Sequence, residues 1–272
     1  MDNILSAIIG AFLGGAFTYY QFIYSKRKDK IEKSIEMAKE FECILSDLQF
    51  DIASVLLNLA KRARIDLEGL GSNEELAFNQ HELYEKFSDE TAKAFLSSMT
   101  SKNIMFLKLL TVYRIYRPDV KELQLEVAIR SFDEKLSFDK NVEKCSSNIK
   151  DEQQRNRFRL DLIAYVNELV SEFELQVNRV LNKLEWMSMY FNLGIAEEDA
   201  VYQSLHQVFL NTVTSLYVSI AERNTTPYDK HYDNVITLFN RWNGKLDSSR
   251  NEYNQKKKEL SETGKTRLKK MR

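Results

Sequence analysis

Proline and glycine are scarce, with two prolines and eight glycines in 272 residues. Proline breaks helix interiors and glycine weakens them. Their depletion against ordinary usage argues against turn-rich sandwiches and barrels and for long helices. Cysteine is sparse too. Cys43 and Cys145 are far apart in the chain and form no CxxC or zinc-ligand pattern, so two buried or free thiols in a reducing compartment are expected rather than a disulfide framework. The formal net charge is −1, which removes any long-range attraction of the whole chain to nucleic acid or to acidic surfaces.

Catalytic signatures are missing as well. There is no GxGxxG after a strand, no HExxH and no GxSxG. Gly264-Lys265-Thr266 imitates the end of a phosphate loop, but Glu259 stands where its first glycine belongs. His81, His206 and His231 are dispersed, and none has an arginine at the spacing of the RxxxxH pair of helical ribonucleases. His81 and Glu85 form the one obvious i, i+4 metal-type pair, and a single pair on a charged helix reads as a solvated face. No catalytic, cofactor-binding or metal-binding residue is expected.

What the chain does contain begins at its N-terminus. Ile4 to Tyr24 is a run of 21 residues without Asp, Glu, Lys or Arg. As a helix it measures about 30 Å, the thickness of the hydrocarbon layer. Tyr19, Tyr20 and Tyr24 gather at its end, and Lys26, Arg27, Lys28 and Lys30 follow. Aromatic residues settle at headgroup level, and basic residues stay on the cytoplasmic side. The pattern therefore predicts a single-pass anchor with the N-terminus outside and the rest of the chain in the cytoplasm. A cleaved signal peptide would carry its basic residues before the apolar run and a small-residue cleavage site after it. A core or interfacial helix would show a polar face. Gly10-x-x-x-Gly14, with Ala11 and Gly15 beside it, makes a small-residue face on which two such helices can pack.

Heptad positions Ile31, Ala38, Leu45, Ile52 and Leu59, with Ser34, Phe41, Leu48 and Val55, continue the helix to a break at Gly69-Leu70-Gly71. Ile35, Ile44, Phe50 and Leu56 widen the apolar face, which fits a multi-helix bundle better than an isolated coiled coil. Ser72-x-x-Glu75 reads as a capping box. Helices follow from His81 to Tyr116, with a break near Ser88, and a peripheral pair is expected within 119–150. A strong helix over 153–192 carries Phe158, Leu162, Tyr165, Leu169, Phe173, Val177, Val180 and Leu184 at spacings of three and four. Gly194 ends it. One helix from Ala196 to Glu222 and a last one from about Tyr228 complete the chain. Glu197, Glu198 and Asp199 suit the positive end of a helix dipole, and Trp186 and Trp242 are expected in the core.

The segment from Leu181 to Trp242 has Leu181, Asn182 and Glu185 before the Gly194-Ile195 turn and its acidic residues, then Ile236 and Phe239 ahead of Trp242. This resembles a group of uncharacterised bacterial proteins with one N-terminal membrane helix and an all-helical cytoplasmic domain. The resemblance covers the last third of the chain and the anchor, and departs at Asn240, where an acidic residue is expected. It implies a bacterial inner-membrane location and lends no activity.

Residues 245–272 hold an excess of six positive charges. Lys256, Lys257, Lys258, Lys265, Arg267, Lys269 and Lys270 could contact anionic lipid, nucleic acid or an acidic protein; the plain alternative is a solvated helix end. No aromatic residue follows Tyr253, which argues against a base-stacking platform. The sequence thus predicts an all-α chain with a transmembrane anchor (1–25), a long juxtamembrane helix (26–71), a cytoplasmic helical bundle (72–254) and a basic tail (255–272). Its expected partners are the lipid bilayer, a second copy of itself and a cytoplasmic protein, with nucleic acid less favoured. The first functional expectation is a membrane-tethered, non-enzymatic helical scaffold. A phage-defence or toxin-type membrane effector and a membrane-anchored nucleic-acid binder are the alternatives.

Overall fold

A computed structural model describes the backbone of residues 2–48, 75–87, 123–133, 136–226 and 228–270, together with isolated residues at 52–53, 56–57, 60, 67, 70 and 90. Side-chain environments are described from residue 18 and up to residue 257. The described residues form helices and no strands, so the chain is all-α. The helices are α1 (Asp2–Leu48), α2 (Gln80–Lys86), α3 (Leu123–Arg130), α4 (Phe138–Ser146), α5 (Glu152–Asn192), α6 (Asp199–Ser215), α7 (Tyr217–Arg223) and α8 (Asp233–Lys270). No helix of the described residues is long and apolar enough to cross a membrane. The side chains of residues 1–17, which hold most of the uncharged run, lie outside the described residues, as do the breaks expected at Gly69, Gly71 and Ser72.

Helix α5 is the spine, and its sequence explains its length. The Asp151 carboxylate accepts the Gln154 N–H at 2.8 Å and caps the start. Leu162, Val166, Leu169, Phe173, Val177, Val180, Leu184, Met187 and Phe191 are buried along one side at spacings of three and four. The end is set by Gly194 at φ +64°, a left-handed conformation in which glycine has no Cβ penalty. The Ile195 N–H then closes back on the Tyr190 carbonyl at 3.0 Å.

Both α1 and α8 pack against α5 and against α6, which makes a four-helix core. Polar contacts fix the directions. Glu197 meets Lys30 and Ser34, while Lys183 faces Glu40 at 4.0 Å, so α1 runs antiparallel to α5. Glu185 meets Asn234, and Asn192 meets Arg241, so α8 runs parallel to α5. Tyr202 reaches Trp242 and Glu198 reaches Lys245, so α6 runs antiparallel to α8. The N-terminal part of α1 and the C-terminal part of α8 therefore leave the bundle at one end, the end marked by Gly194.

Trp242 is fully buried at the centre. Its ring lies 5.0 Å from Phe209, 5.5 Å from Tyr202 and 6.0 Å from Phe191. Phe41 of α1 joins this cluster through Phe209 at 6.1 Å. The buried stripe of α1 is Ser34, Met37, Phe41 and Ile44, with Ala38 and Leu45 half-buried beside it. Ile35, expected to widen that face, is 49% exposed, because it lies about 100° around the helix from Ser34, off the Ser34–Phe41 row. Trp186 is another correction, since it is 39% exposed. It sits off the α5 stripe between Leu184 and Met187, with its ring edge against Tyr190.

The expected helix over 196–222 is divided at Leu216, which has φ −93° and ψ 0°. The last helix begins at Asp233, not Tyr228, and Tyr228 stands exposed in the preceding loop. That loop is tied down by Asn224, whose side chain accepts the His231 N–H at 2.9 Å and donates to the carbonyls of Phe78 and His231. Helices α3 and α4 pack on the N-terminal half of α5, where Ala128, Ile129, Phe138 and Val142 make a small satellite core with Leu162 and Val166. Truncating Trp242 or Phe41 to Ala should cost about 3–5 kcal/mol of unfolding free energy, whereas Ile35→Ala should stay within about 0.5 kcal/mol. Urea unfolding followed by circular dichroism measures both.

Candidate functional site: the Gly194 end of the bundle

The turn Leu193–Asp199 joins three helices through short polar contacts. Ser34 is fully buried. Its Oγ accepts the Glu197 N–H at 2.7 Å and lies 2.8 Å from the carbonyls of Lys30 and Glu197, one of which takes its proton. The same Glu197 N–H lies 3.3 Å from the Lys30 carbonyl. A hydroxyl buried with each of its capacities used stabilises the α1 contact and costs free energy if it is orphaned.

Glu198 precedes α6, but its side chain makes no capping hydrogen bond. The carboxylate instead turns to α8, 2.8 Å from Arg241 Nε and 2.6 Å from Lys245 Nζ, with Asp199 3.4 Å from the same lysine. The hydrogen bond that Lys245 donates to Glu198 raises the lysine's pKa above its ordinary value, with burial opposing. Burial pushes the Tyr202 phenol upward as well, against the opposing charge of Lys245. Arg241 also donates to Asn192 Oδ1 at 3.0 Å, and Asn192 donates to the Asn234 carbonyl at 2.9 Å. About two turns lower, Glu185 caps α8, accepting from the Asn234 and Val235 N–H groups at 3.2 and 3.0 Å and from the Asn234 amide at 2.7 Å.

Around this end apolar side chains are exposed beside the basic cluster Lys26, Arg27, Lys28 and Lys30. Leu193 and Ile195 are exposed on the turn, and Tyr19, Tyr20, Phe22, Ile23 and Tyr24 of α1 are 48–67% exposed beyond it. Lys26 folds back over the Phe22 ring at 4.6 Å. Two surface grooves lie lower on the bundle. One, of 520 Å³, runs between α1 and α5 past Glu40, Leu175, Arg179, Lys183 and Trp186. The other, of 400 Å³, includes Leu57, Leu67, Gln207, Leu210, Phe239 and Arg250. Neither brings together a catalytic constellation.

The residues singled out in the sequence fare differently. Gly10, Ala11, Gly14 and Gly15 lie within α1, and their surroundings fall outside the described residues. Lys256 and Lys257 are exposed on α8. Lys258, Lys265, Arg267, Lys269 and Lys270 continue that helix, again with side chains outside the described set. Gly264-Lys265-Thr266 is therefore part of a helix, not a phosphate loop. His81 and Glu85 form an exposed pair at 3.4 Å, and no group of three metal-type ligands occurs among the described residues. Asn240, in place of the expected acid, accepts the Leu76 N–H at 3.0 Å and donates to the Leu76 carbonyl at 2.9 Å. Sequence reading passed over Arg241 and Asn224 and took Ser34 only as a position of the heptad seam, since the roles of all three depend on partners distant in the chain.

At the opposite end Glu222 is half-buried. Burial pushes its carboxyl above the ordinary range, with Arg223 opposing and Glu174 adding. The folded chain thus holds this proton more tightly than the unfolded chain. The stabilisation is present below the ordinary value of 4.5 and lost as pH rises through the higher folded value. Glu222→Gln should flatten that part of the stability–pH curve and raise the melting midpoint at pH 7. Gly194→Ala should cost about 1 kcal/mol by forcing a Cβ into the left-handed region, read from the urea midpoint.

A family model described as Domain of unknown function (DUF4760) matches residues 104–242. The match takes in α3 to α7 and α8 as far as Trp242, and so includes the Leu181–Trp242 segment of the likeness seen in the sequence, while the N-terminal anchor of that likeness lies outside it. No curated protein and no solved structure matches the chain.

Proposed function

The chain belongs to the DUF4760 family of unknown function, and from that premise we propose that it is a membrane-tethered, non-enzymatic helical scaffold of the bacterial inner membrane, self-associating through its anchor. One observation carries the reading. Where α1 leaves the bundle, five of the six residues from Tyr19 to Tyr24 are exposed aromatic or aliphatic side chains, Gln21 being the exception, and the chain before them is uncharged back to Ile4. An apolar helix of that length left in water forfeits roughly 25 cal/mol for each Å² that lipid would cover. A bilayer covers it all round, and the cluster Lys26, Arg27, Lys28 and Lys30 then fixes the bundle on the cytoplasmic side.

Within the bilayer, Gly10 and Gly14 stand one helical turn apart in α1, allowing a second helix to approach closely. The bundle would then hold a cytoplasmic partner at the membrane. The full-length chain should remain with membranes through an alkaline carbonate wash; recovery in the supernatant overturns the reading. Gly10→Ile with Gly14→Ile should leave it in the membrane but reduce disulfide-free chemical cross-linking of copies several-fold.

A further inference from the structure

We propose that the groove between α1 and α5 is a docking site for an amphipathic helix of another protein, one that carries a carboxylate between two apolar side chains. The inference deepens the scaffold reading above and rests on it for one premise, that the bundle holds a cytoplasmic partner.

The groove is built on a second face of α5. Leu175, Arg179, Asn182 and Trp186 follow one another at spacings of four, three and four, so they share an arc of about 60° and span about 16 Å. Along this arc α5 exposes the kind of side chain that its core stripe buries. Leu175 is 59% exposed and Trp186 39%, and both line the 520 Å³ groove together with Arg179 and Asn182. The Trp186 ring is already fixed edge-on to Tyr190 at 4.8 Å, so ordering it on binding costs little. Tryptophan and arginine are the residue types that most often dominate the energy of protein interfaces. A helix laid in the groove meets two apolar anchors three turns apart.

The charge left over decides the partner. On the α1 side Glu40 faces Lys183 at 4.0 Å, and the two offset each other. Arg179 is exposed and has neither an ion pair nor a hydrogen bond among the described residues. The groove therefore presents one uncompensated cation between its apolar anchors, and a carboxylate is the complement. Other occupants fit less well. Glu40 lies 16 residues beyond Tyr24 on the continuous helix α1, about 24 Å from the end of the uncharged run and out of reach of lipid headgroups. A second copy in the same bilayer would be related by a two-fold axis along the membrane normal, and pairing α5 about that axis sets Arg179 against Arg179. Nucleic acid needs a row of cations, whereas this groove has Glu40 in its wall.

The test uses the full-length chain in its native cells, with Asn182 replaced by the photo-crosslinker p-benzoylphenylalanine. Irradiation should give an adduct with another protein, and mass spectrometry should place the cross-linked peptide in a helix with a carboxylate between apolar residues. The yield should fall at least five-fold with Trp186→Ala or Arg179→Glu, with helicity retained in both. Changing the mapped carboxylate of the partner to lysine should restore the yield in the Arg179→Glu chain. An adduct confined to a second copy, to lipid or to nucleic acid, no adduct at all, or a yield that ignores Arg179→Glu overturns the docking proposal. A carbonate wash of the same cells separates the two readings. A chain that stays with the membranes yet gives no such adduct counts against the docking site alone, and a chain recovered in the supernatant counts against the anchor.

Discussion

The contact between the Leu193–Asp199 turn and its two neighbours sets the polarity of the molecule. Ser34 and Lys30 bind the backbone of Glu197, and Arg241 and Lys245 bind the carboxylate of Glu198. Two consecutive residues thereby hold α1 on one side and α8 on the other, with opposite chain directions. The terminal parts of the two longest outer helices are delivered to one end as a result. Packing of Trp242, Phe209, Phe41 and Phe191 supplies the apolar stabilisation, but aromatic rings are indifferent to helix polarity. The hydrogen-bonded turn is not.

The Glu198 cluster shows how such a contact balances its costs. The carboxylate is 16% exposed, while its partners Arg241 and Lys245 are 35% and 42% exposed. Exposed pairs contribute little because water and salt screen them, and a fully buried ion would suffer desolvation. A shielded carboxylate between two half-exposed cations keeps its geometry while leaving the cations largely hydrated. Lys245 also lies 5.2 Å above the Tyr202 ring, a cation–π contact that further fixes its stem.

Much of the architecture was legible because helix periodicity is a local property. The α5 stripe from Leu162 to Leu184 could be read residue by residue, since each buried position follows the last by three or four. Gly194 was legible for the same reason, as a glycine after a long apolar pattern. Trp186 and Ile35 were misassigned where side-chain size was weighed above angular position. The division at Leu216 left no mark, because Ser215-Leu216-Tyr217 contains neither glycine nor proline. The polar hubs were hidden for another reason. Asn240 bonds to Leu76, Glu185 to Asn234, and Ser34 to Glu197, and no local pattern links residues so distant in the chain. Glu185 stood out by resemblance, yet its work as the cap of α8 emerges only when two helices are parallel. The basic tail was visible as composition, but its height relative to α1 became apparent only from the shared turn.

The central claim is that both outer helices project from the Gly194 end. Spin labels on the full-length chain in lipid vesicles test it most directly, with Ser25→Cys paired in turn with Ser249→Cys and with Tyr228→Cys in a background lacking Cys43 and Cys145. With helices about 8–10 Å apart and a rise of about 1.5 Å per residue, residue 25 should lie about 15–25 Å from 249 and about 35 Å or more from 228. The reverse order would mean that α8 runs the other way, and the account would fall with it.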